Sequence, residues 1–312
     1  MPTRMPDLRR HLTTVETPAE LRRQCDRIRG AGLSLGLVPT MGALHAGHRS
    51  LILRSRAECD QTAVSIFVNP AQFGPGEDFD RYPRNLDADL AVCAELGVDL
   101  VYAPGVAAVY PEGFSTRINL RGALVETLEG AHRPGHFEGV ATVVAKLLIA
   151  IRPDRAYFGH KDAQQCAVVR RLAADLDVGT DIVVCPTVRD ADGLALSSRN
   201  AYLDPGDRRQ ALAIPAALAA ADAAHRAGET DPERIRQLVL RCLAESPALV
   251  VDYVAVVDAE TFDPATAVSV RCEILIAARI GGTRLIDVVT PGADERWVVG
   301  PEGSDPNQSG FG

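Results

Sequence analysis

Several features are scarce or missing in this 312-residue sequence, and each scarcity excludes a class of protein. No run is rich in Lys and Arg, and the formal net charge is −8, so the chain would repel polynucleotide phosphates. No CxxC pair occurs among the seven cysteines, which is unlike a disulfide framework or a zinc site. The most apolar stretch, residues 140–151, contains Lys146 and is too short to cross a bilayer. We expect neither a nucleic-acid partner nor a membrane partner.

The N-terminus also lacks the apolar core of a secretory signal over residues 1–14. Dispersed cysteines in an odd number are typical of reduced thiols, so we expect a cytoplasmic protein. What is present is ordinary globular composition, with 46% hydrophobic and 24% charged residues. The length fits one large domain plus a smaller one.

Short apolar segments alternate with helical patterns over residues 1–186. The predicted strands are residues 33–38, 62–68, 98–103, 155–158 and 181–185. The predicted helices are residues 18–29, 47–59, 85–96, 139–151 and 162–175. This alternation predicts the α/β class, with a Rossmann-like, doubly wound, mostly parallel sheet covered on both faces. Ligands of such sheets bind at the carboxyl ends of the strands.

The pattern changes after residue 186. Two Ala-rich helices, residues 205–227 and 231–245, precede strands at residues 250–257, 273–278 and 283–289. Residues 187–290 therefore read as a smaller α+β C-terminal domain. The Gly/Pro/polar composition of residues 291–312 predicts a disordered tail, apart from a possible anchor at Trp297.

The clearest chemical signal follows the first predicted core strand, where the chain reads LVPTMGALHAGH. His45 and His48 are three residues apart, so they share one side of a helical turn. Helix N-terminal amides favour phosphate, and two imidazoles beside them can donate hydrogen bonds as charge develops. Gly47 leaves room for a nucleotide against the backbone. A His-x-Gly-His sequence also arises by chance in turns, so this motif alone leaves both interpretations open.

Two further segments carry groups suited to phosphate. Ser197, Ser198 and Arg199 stand in a row in a predicted loop between the domains, and hydroxyls and a guanidinium can bind phosphate oxygens. Lys161 and Asp162 follow a strand, offering a point charge and either a helix cap or a ribose ligand. Each segment alone also fits a polar turn. The Ser-Ser-Arg segment paired with His-x-Gly-His resembles the signature of the nucleotidyltransferase superfamily, whose members transfer AMP by attack on the α-phosphorus of ATP.

Uncharged hydrogen-bonding side chains stand at the same predicted edge of the sheet. Asn69 and Gln72 follow the second core strand, and Gln165 lies near the start of the helix over residues 162–175. Alone, Asn69 and Gln72 are residues common in turns. Asp87 and Asp89 could hold a Mg²⁺ ion bound to ATP, although carboxylates on a helix surface are usually solvated.

Two loops near this edge stay open to interpretation. The Gly/Pro/acidic composition of residues 74–81 predicts a mobile cover over the ligand. Arg133 and His136 either add cationic character near the pocket or are ordinary loop residues.

Six segments resemble, in order, those of the pantothenate synthetase family: LVPTMGALHAGH, SIFVNPAQF, RYPR, RPGHF, RPDRAYFGHKDAQQ and PTVRDADGLALSSRN. The resemblance covers the first two thirds of the chain, and the remainder matches by domain size and strand layout. It implies that ATP and pantoate form pantoyl-adenylate with release of pyrophosphate. β-Alanine then attacks to give pantothenate and AMP. The resemblance also implies Mg²⁺ and a homodimer.

The resemblance implies roles for individual residues. His48 matches the catalytic proton donor, His45 its phosphate-binding partner, and Lys161 and Arg199 further catalytic positions. The matched ATP-binding positions are Thr40, Met41, Gly47, Gly159, Asp162, Val188, Leu196, Ser197 and Ser198. The matched substrate-binding positions are Gln72, Gln165 and Asn69, and the matched metal position is Asp89.

Three positions depart from the family pattern. His160 stands where Glu is common, and Leu196 replaces the usual Met before the two serines. The acidic cluster near Asp89 is thinner than in some relatives, because Ala88 and Val92 interrupt it. The first two departures are compatible with function, whereas the third weakens the case for a direct metal contact.

Three other functions remain to be weighed. A cytidylyl- or adenylyltransferase acting on a phosphorylated substrate needs cations for that phosphate, whereas Gln72 and Gln165 are neutral. A tRNA synthetase is disfavoured because the sequence shows no anticodon-binding domain or basic patch. A nucleotide-binding regulatory module derived from an inactive enzyme would have lost some of the four predicted catalytic residues, and all four are present.

Overall fold

The structure of the protein is a computed structural model that describes residues 12–293 and 298–299. The strands are β1 (Thr13–Val15), β2 (Leu35–Thr40), β3 (Gln61–Ile66), β4 (Leu100–Tyr102), β5 (Arg155–Gly159), β6 (Asp181–Cys185), β7 (Val188–Arg189), β8 (Val250–Asp258), β9 (Cys272–Ile280), β10 (Thr283–Val289) and β11 (Val298–Val299). The helices are α1 (Pro18–Gly30), α2 (Ala46–Glu58), α3 (Leu86–Glu95), α4 (Val106–Val109), α5 (Ala123–Glu126), α6 (Glu129–His132), α7 (His136–Ile151), α8 (Ala163–Asp175), α9 (Pro205–Ala211), α10 (Ala213–Arg226) and α11 (Pro232–Ala244).

Six parallel strands form the main sheet, in the order β1-β4-β3-β2-β5-β6. The chain runs outward from β2 through β3 to β4, and then returns to the opposite side of β2 to add β5 and β6. The strand order therefore reverses between β2 and β5. In open α/β sheets, ligands bind in the crevice at this reversal, beyond the carboxyl ends of the strands. The predicted doubly wound parallel sheet is confirmed.

Helices cover both faces of the main sheet. Leu35 and Leu37 of β2 pack against α1, α7 and α8, whereas Val38 packs against α2 and α3. Gly36 has a packing reason, because a Cβ atom there would lie 2.2 Å from the Ser55 Oγ atom of α2. The backbone of β2 thus approaches α2 closely, just before the loop that enters that helix.

Local signals set where the first helix begins. Thr17 Oγ accepts a hydrogen bond from Glu20 N at 3.2 Å, and the Glu20 carboxylate accepts one from Thr17 N at 3.3 Å. Pro18 occupies the first helical position, where its missing N–H is not needed. A capping box is therefore present, and α1 ends at Gly30.

The C-terminal unit packs α10 and α11 on a three-stranded antiparallel sheet of order β10-β9-β8. The predicted smaller α+β unit is confirmed, whereas the domain boundary at residue 186 stays a prediction. The single helix predicted over residues 205–227 is wrong, because the helix is interrupted at Leu212, between α9 and α10. Pro215 lies in the first turn of α10, and its ring nitrogen cannot donate to the carbonyl of Ala211, so one continuous helix is disfavoured.

The termini are described only in part. Most of residues 1–14, in which no secretory signal was found, and the predicted anchor Trp297 lie outside the described residues. Within the described residues, the backbone of β11 pairs in parallel with β7. No helix in this described part of the chain has both the length and the apolar character needed to cross a membrane.

Candidate active site

A cavity of about 230 Å³, here called the inner cavity, opens at the carboxyl ends of β2, β3 and β5. Every predicted catalytic, ATP-binding and substrate-binding residue lines it: Thr40, Met41, His45, Gly47, His48, Asn69, Gln72, Gly159, Lys161, Asp162, Gln165, Val188, Leu196, Ser197, Ser198 and Arg199. Asp89 does not line it. The inner cavity lies at the reversal of strand order, where the topology places ligands.

A second cavity of about 800 Å³, here called the charged cleft, lies between the main sheet and the C-terminal unit. Lys161, Asp162, Gln165 and Arg199 border both cavities, so the two are continuous. The other charged groups that line the charged cleft are Glu77, Asp78, Arg81, Glu129, Arg133, Arg279, Arg284 and Asp287. Together the two cavities provide a volume that suits a nucleotide and a second small ligand.

The hydrogen bonds of His45 and His48 fix their tautomers. Gly47 N donates to His45 Nδ1 at 3.1 Å, and His45 N donates to His48 Nδ1 at 3.3 Å. A backbone N–H can only donate, so each Nδ1 atom is an acceptor. When neutral, each imidazole therefore carries its proton on Nε2. The two rings are neighbours, with centroids 4.1 Å apart and planes inclined at 37°.

Both imidazoles are neutral near pH 7. Burial lowers the pKa of His48 to about 4, with Asp162 opposing this effect and Lys161 adding to it. Burial also lowers the pKa of His45 to about 2, helped by repulsion from His48 and Lys161. A neutral Nε2–H donor gains strength as negative charge grows on a phosphoryl oxygen, which favours the transition state over the ground state.

Asp89 is buried, and its carboxylate faces the backbone of the loop before α2. Its Oδ2 atom accepts a hydrogen bond from Ala43 N at 3.0 Å, and Oδ1 accepts one from Leu44 N at 2.8 Å. Gly42 and Ala43 have φ angles of 82° and 50°, a strained region for a residue with a side chain. Asp89 therefore fixes the loop that positions His45. Its direct contact with a metal stays a prediction.

Among the described residues, backbone amides rather than further metal-ligating side chains surround the Asp89 carboxylate. No group of three or more His, Cys, Asp or Glu side chains within the described ranges could hold a metal ion. Each Asp89 oxygen already accepts a backbone amide hydrogen bond.

The two adjacent glutamines of α8 differ in role. Gln164 is buried, and its Oε1 atom accepts a hydrogen bond from Glu129 N at 3.0 Å. Its Nε2 atom donates to the carbonyls of Leu124 and Thr127 at 2.9 and 3.0 Å, so its hydrogen-bonding capacity is used inside the protein. Gln165, one position on, faces the inner cavity and stays the predicted substrate ligand.

The loop of residues 74–81 is held by two arginines at the mouth of the inner cavity. Arg199 donates from Nε and one terminal nitrogen to the two oxygens of Asp78, both at 2.8 Å. Arg133 binds Glu77 in the same two-pronged way, again at 2.8 Å for both bonds. Tyr82, just after the loop, donates to Ser198 Oγ at 3.5 Å. A phosphate that binds Arg199 must therefore displace the Asp78 carboxylate or share the guanidinium with it.

Arg133 and His136, left open by the sequence, belong to the wall of the inner cavity. Arg133 donates from a terminal nitrogen to His136 Nε2 at 3.1 Å, since a guanidinium cannot accept. His136 Nδ1 then donates to the Gln72 carbonyl at 2.9 Å. Burial, reinforced by Arg133, lowers the pKa of His136 to about 4, so this ring is also neutral at pH 7. It fixes the backbone at Gln72.

A buried ion pair anchors the segment that carries Ser197, Ser198 and Arg199. Arg189 binds the Asp287 carboxylate with N–O distances of 2.6 and 2.9 Å, and both residues are buried. This pair joins β7 to β10 and was not found by sequence reasoning. A signal was available, because Asp287 interrupts the apolar strand LIDVV and a buried charge needs a partner.

The family model described as Pantoate-beta-alanine ligase matches residues 13–290. The chain belongs to this family. The pantothenate synthetase of Acidobacterium capsulatum is 50% identical over 292 residues, which cover 91% of this chain and 97% of that protein. The pantothenate synthetase of Deinococcus radiodurans is 54% identical over 259 residues, covering 81% of this chain and 92% of that protein.

Solved structures of the pantoate–β-alanine ligase family have the same fold. The pantothenate synthetase of Thermus thermophilus matches with a TM-score of 0.84 at 46% identity, covering 90% of this chain and 99% of that chain. The pantoate–β-alanine ligase of Francisella tularensis, complexed with beta-gamma ATP and β-alanine, matches with a TM-score of 0.76 at 33% identity, covering 91% and 99%. The predicted fold class and the predicted ATP-dependent ligase are confirmed.

The structure accounts for one departure from the family pattern. His160 is buried and does not line the inner cavity. Its Nε2 atom lies 2.8 Å from Glu273 Oε1, and Thr290 Oγ1 donates to Glu273 Oε2 at 3.0 Å. The histidine therefore contacts the C-terminal unit, while its neighbours Lys161 and Asp162 line the inner cavity. Leu196, the second departure, lines the inner cavity with an apolar side chain.

Proposed function

We propose that this pantoate–β-alanine ligase activates pantoate as an acyl-adenylate and then transfers the pantoyl group to β-alanine at the same site. The observation that carries the proposal is the pair of neutral Nε2–H donors of His45 and His48 beside Lys161 and Arg199. These four groups line one cavity at the N-terminus of α2. A helix N-terminus together with preorganised donors is suited to the α-phosphate of ATP.

In the first step, a carboxylate oxygen of pantoate attacks the α-phosphorus of ATP. A new P–O bond forms as the bond to the β-phosphate oxygen breaks, and pyrophosphate leaves with the negative charge. His45 and His48 donate to the phosphoryl oxygens as charge develops. Lys161 and Arg199 stabilise the charge of the departing phosphates. MgATP is the substrate form expected, in which the ion would neutralise charge on the phosphates.

The rest of the inner cavity suits pantoate rather than a phosphorylated substrate. Gln72 and Gln165 offer neutral amides, which fit hydroxyl and carboxylate oxygens. Val143, Val144 and Leu147 of α7 supply an apolar wall that fits a branched hydrocarbon centre. This composition is why we favour an acid with hydroxyl groups over a substrate that carries its own phosphate.

In the second step, the amine of β-alanine attacks the carbonyl carbon of the bound adenylate. A C–N bond forms, the C–O bond to AMP breaks, and the amine loses a proton. The activation is needed because a free carboxylate has a poor leaving group, and the mixed anhydride with AMP supplies a good one. No cysteine takes part in this proposal; all seven are free thiols, which agrees with a reducing, cytoplasmic location.

Pyrophosphate exchange tests the order of these steps. Enzyme, Mg²⁺, ATP and labelled pyrophosphate are expected to show pantoate-dependent incorporation of label into ATP without β-alanine. If exchange appears only when β-alanine is added, the stepwise mechanism is wrong. If exchange appears without pantoate, the assignment of the acid substrate is wrong.

The oligomeric state is also part of the proposal. We infer a homodimer, because the family resemblance implies one. Light scattering at micromolar concentration is expected to give twice the chain mass of 33.3 kDa. A value equal to the chain mass contradicts the dimer.

A further inference from the structure

A chain of hydrogen bonds in the wall of the inner cavity begins at Asn69, which is 1% exposed. Ala71 N donates to Asn69 Oδ1 at 3.2 Å, and Asn69 Nδ2 donates to the Gly139 carbonyl at 3.2 Å. A backbone N–H can only donate and a backbone carbonyl can only accept. The orientation of the Asn69 amide is therefore fixed from both ends by partners that cannot exchange roles.

The fixed amide of Asn69 in turn fixes that of Gln72. Asn69 Nδ2 donates to Gln72 Oε1 at 3.0 Å, which places the oxygen of Gln72 toward Asn69. The nitrogen of Gln72 then lies at the other end, 3.2 Å from Met41 Sδ, and both Met41 and Gln72 line the inner cavity. A thioether is a weak acceptor, so the Gln72 amide nitrogen has an N–H that can donate to a ligand. The cavity therefore meets a donor at this point.

Tyr110 completes the chain from outside the cavity. Its hydroxyl lies 2.8 Å from Asn69 Oδ1, and because that oxygen can only accept, the hydroxyl donates. Burial raises the pKa of Tyr110 to about 12, so the proton stays in place. The ring packs against Phe67 and Phe114, with centroid distances of 6.2 and 5.0 Å.

The backbone at this point is tightly packed as well. A Cβ atom on Gly139 would lie 2.2 Å from the Ala71 carbonyl oxygen and 2.6 Å from Gln72 N. Only glycine lets α7 approach the turn at residues 70–72 this closely. The backbone that carries these hydrogen-bonded side chains therefore has little room to shift.

We propose that Tyr110 is a positioning residue for the acid substrate: through Asn69, it holds the Gln72 amide with its nitrogen toward the cavity. Tyr110, Asn69 and Gln72 together are here called the amide relay. The relay selects an oxygen acceptor on the substrate, a hydroxyl or a carboxylate, at the point that Gln72 contacts. This inference rests on the proposed function, because it names what the same site recognises.

The first test is the Tyr110→Phe variant of the full chain, which keeps the ring and removes only the donor. Loss of one neutral hydrogen bond that orients Gln72 predicts about a threefold to tenfold rise in the KM for pantoate. The KM for ATP is expected to stay unchanged, and the thermal unfolding midpoint is expected to fall by no more than a few degrees. A rise in both KM values, or no rise in either, overturns the relay.

A matched control removes the phenol oxygen of another tyrosine. Tyr157 donates to Glu58 Oε2 at 3.1 Å and packs on the face of the main sheet that α2 and α3 cover. Tyr157→Phe is expected to leave both KM values unchanged. If it raises the KM for pantoate as much as Tyr110→Phe does, the effect is not specific to the relay.

The second test is a double-mutant cycle with Gln72→Ala. If Tyr110 acts through Gln72, then Tyr110→Phe adds no further increase in the KM for pantoate when Gln72 is already Ala. An equal fold-change in both backgrounds overturns the inference. Asn69→Asp is a second variant, because a carboxylate has no N–H to give to Gln72. It is expected to raise the KM for pantoate at least as much as Tyr110→Phe, and a smaller rise contradicts the relay.

The wild-type protein separates failure of the relay from failure of the proposed function. If the wild type lacks pantoate-dependent pyrophosphate exchange, the proposed function fails. If the wild type shows this exchange and Tyr110→Phe behaves like the wild type, only the relay fails.

Discussion

The inner cavity and the charged cleft are both lined by polar side chains, but the two regions orient those side chains differently. In the inner cavity, backbone groups orient neutral side chains. The backbone amide of His45 donates to the ring of His48, and that of Gly47 donates to the ring of His45. In the charged cleft, side chains orient one another, as Arg199 and Asp78 do. A donor held by backbone cannot change partner, whereas an ion pair can exchange one anion for another. The orientation of the donors is therefore fixed in the inner cavity, whereas the charged groups of the charged cleft can exchange partners.

Breaking the buried ion pair beside the charged cleft is expected to have the largest effect. Asp287→Ala leaves the Arg189 guanidinium without its carboxylate, and removal of one partner from a buried pair costs about 3–5 kcal/mol of unfolding free energy. Urea denaturation measures this change.

The control for this variant removes both charges. Arg189→Met combined with Asp287→Leu is expected to recover most of the lost unfolding free energy, because no buried charge is left unpaired. A loss below about 1 kcal/mol for Asp287→Ala alone would show that the pair is solvated.

Removing a backbone-oriented donor tests the inner cavity. His48→Ala is expected to fold normally and to lower kcat by about 10²–10³, the typical cost of one preorganised transition-state donor. Arg49→Ala is the matched control, because Arg49 is the next residue of α2 and pairs at the surface with Glu95. Turnover near that of the wild type in folded His48→Ala refutes the catalytic assignment, and so does an equal loss in Arg49→Ala.

The pH dependence of stability distinguishes the two regions. The pKa values of His45, His48 and His136 are lowered by burial, so the unfolded chain binds more protons below pH 6.5. The unfolding free energy is therefore expected to fall as the pH drops from about 6.5 toward 4.5. The buried His136 contributes up to about 1.4 kcal/mol per pH unit.

The charged cleft is expected to respond only at lower pH. The pKa values of Glu77 and Asp78 are both lowered overall. Burial acts to raise them, but hydrogen bonds from their arginine partners outweigh this effect. Their stabilising effect is present above the unfolded pKa of each carboxyl, about 4, and is lost below it. Urea denaturation at pH 7.0, 6.0 and 5.0 measures the slope. His136→Gln is expected to reduce it, and an unchanged slope contradicts the assignment.

The sequence predicts the inner cavity well because its parts follow parallel strands. His45 and His48 come after β2, Asn69 and Gln72 after β3, and Lys161 after β5, so one sheet edge collects them. Short apolar segments that alternate with helical patterns were enough to place those strands.

What the sequence could not supply are contacts between segments far apart in the chain. The pairs Arg189–Asp287 and His160–Glu273 join residues 98 and 113 positions apart, with no local pattern to connect them. Gln164 and Gln165 look alike in sequence, and only the rotation of α8 shows that the first is buried. Tyr110 was missed for the same reason, since its partner Asn69 lies in another loop.

The smallest expected effect concerns the loop of residues 74–81, predicted from composition to cover the ligand. Asp78→Asn removes the charge that holds Arg199, so amide exchange in this loop is expected to become a few-fold faster, as loss of one partly exposed ion pair allows. Asp80→Asn is the matched control, because Asp80 is exposed and has no ion pair among the residues that the structure describes.

Hydrogen exchange measured with and without ATP plus pantoate completes the test. Ligands are expected to slow exchange in the wild type, because phosphate oxygens replace the Asp78 carboxylate at Arg199 and the loop then orders over them. Equal, strong protection with and without ligands rules out a mobile cover, and an effect of Asp80→Asn equal to that of Asp78→Asn removes the role of the Arg199 pair.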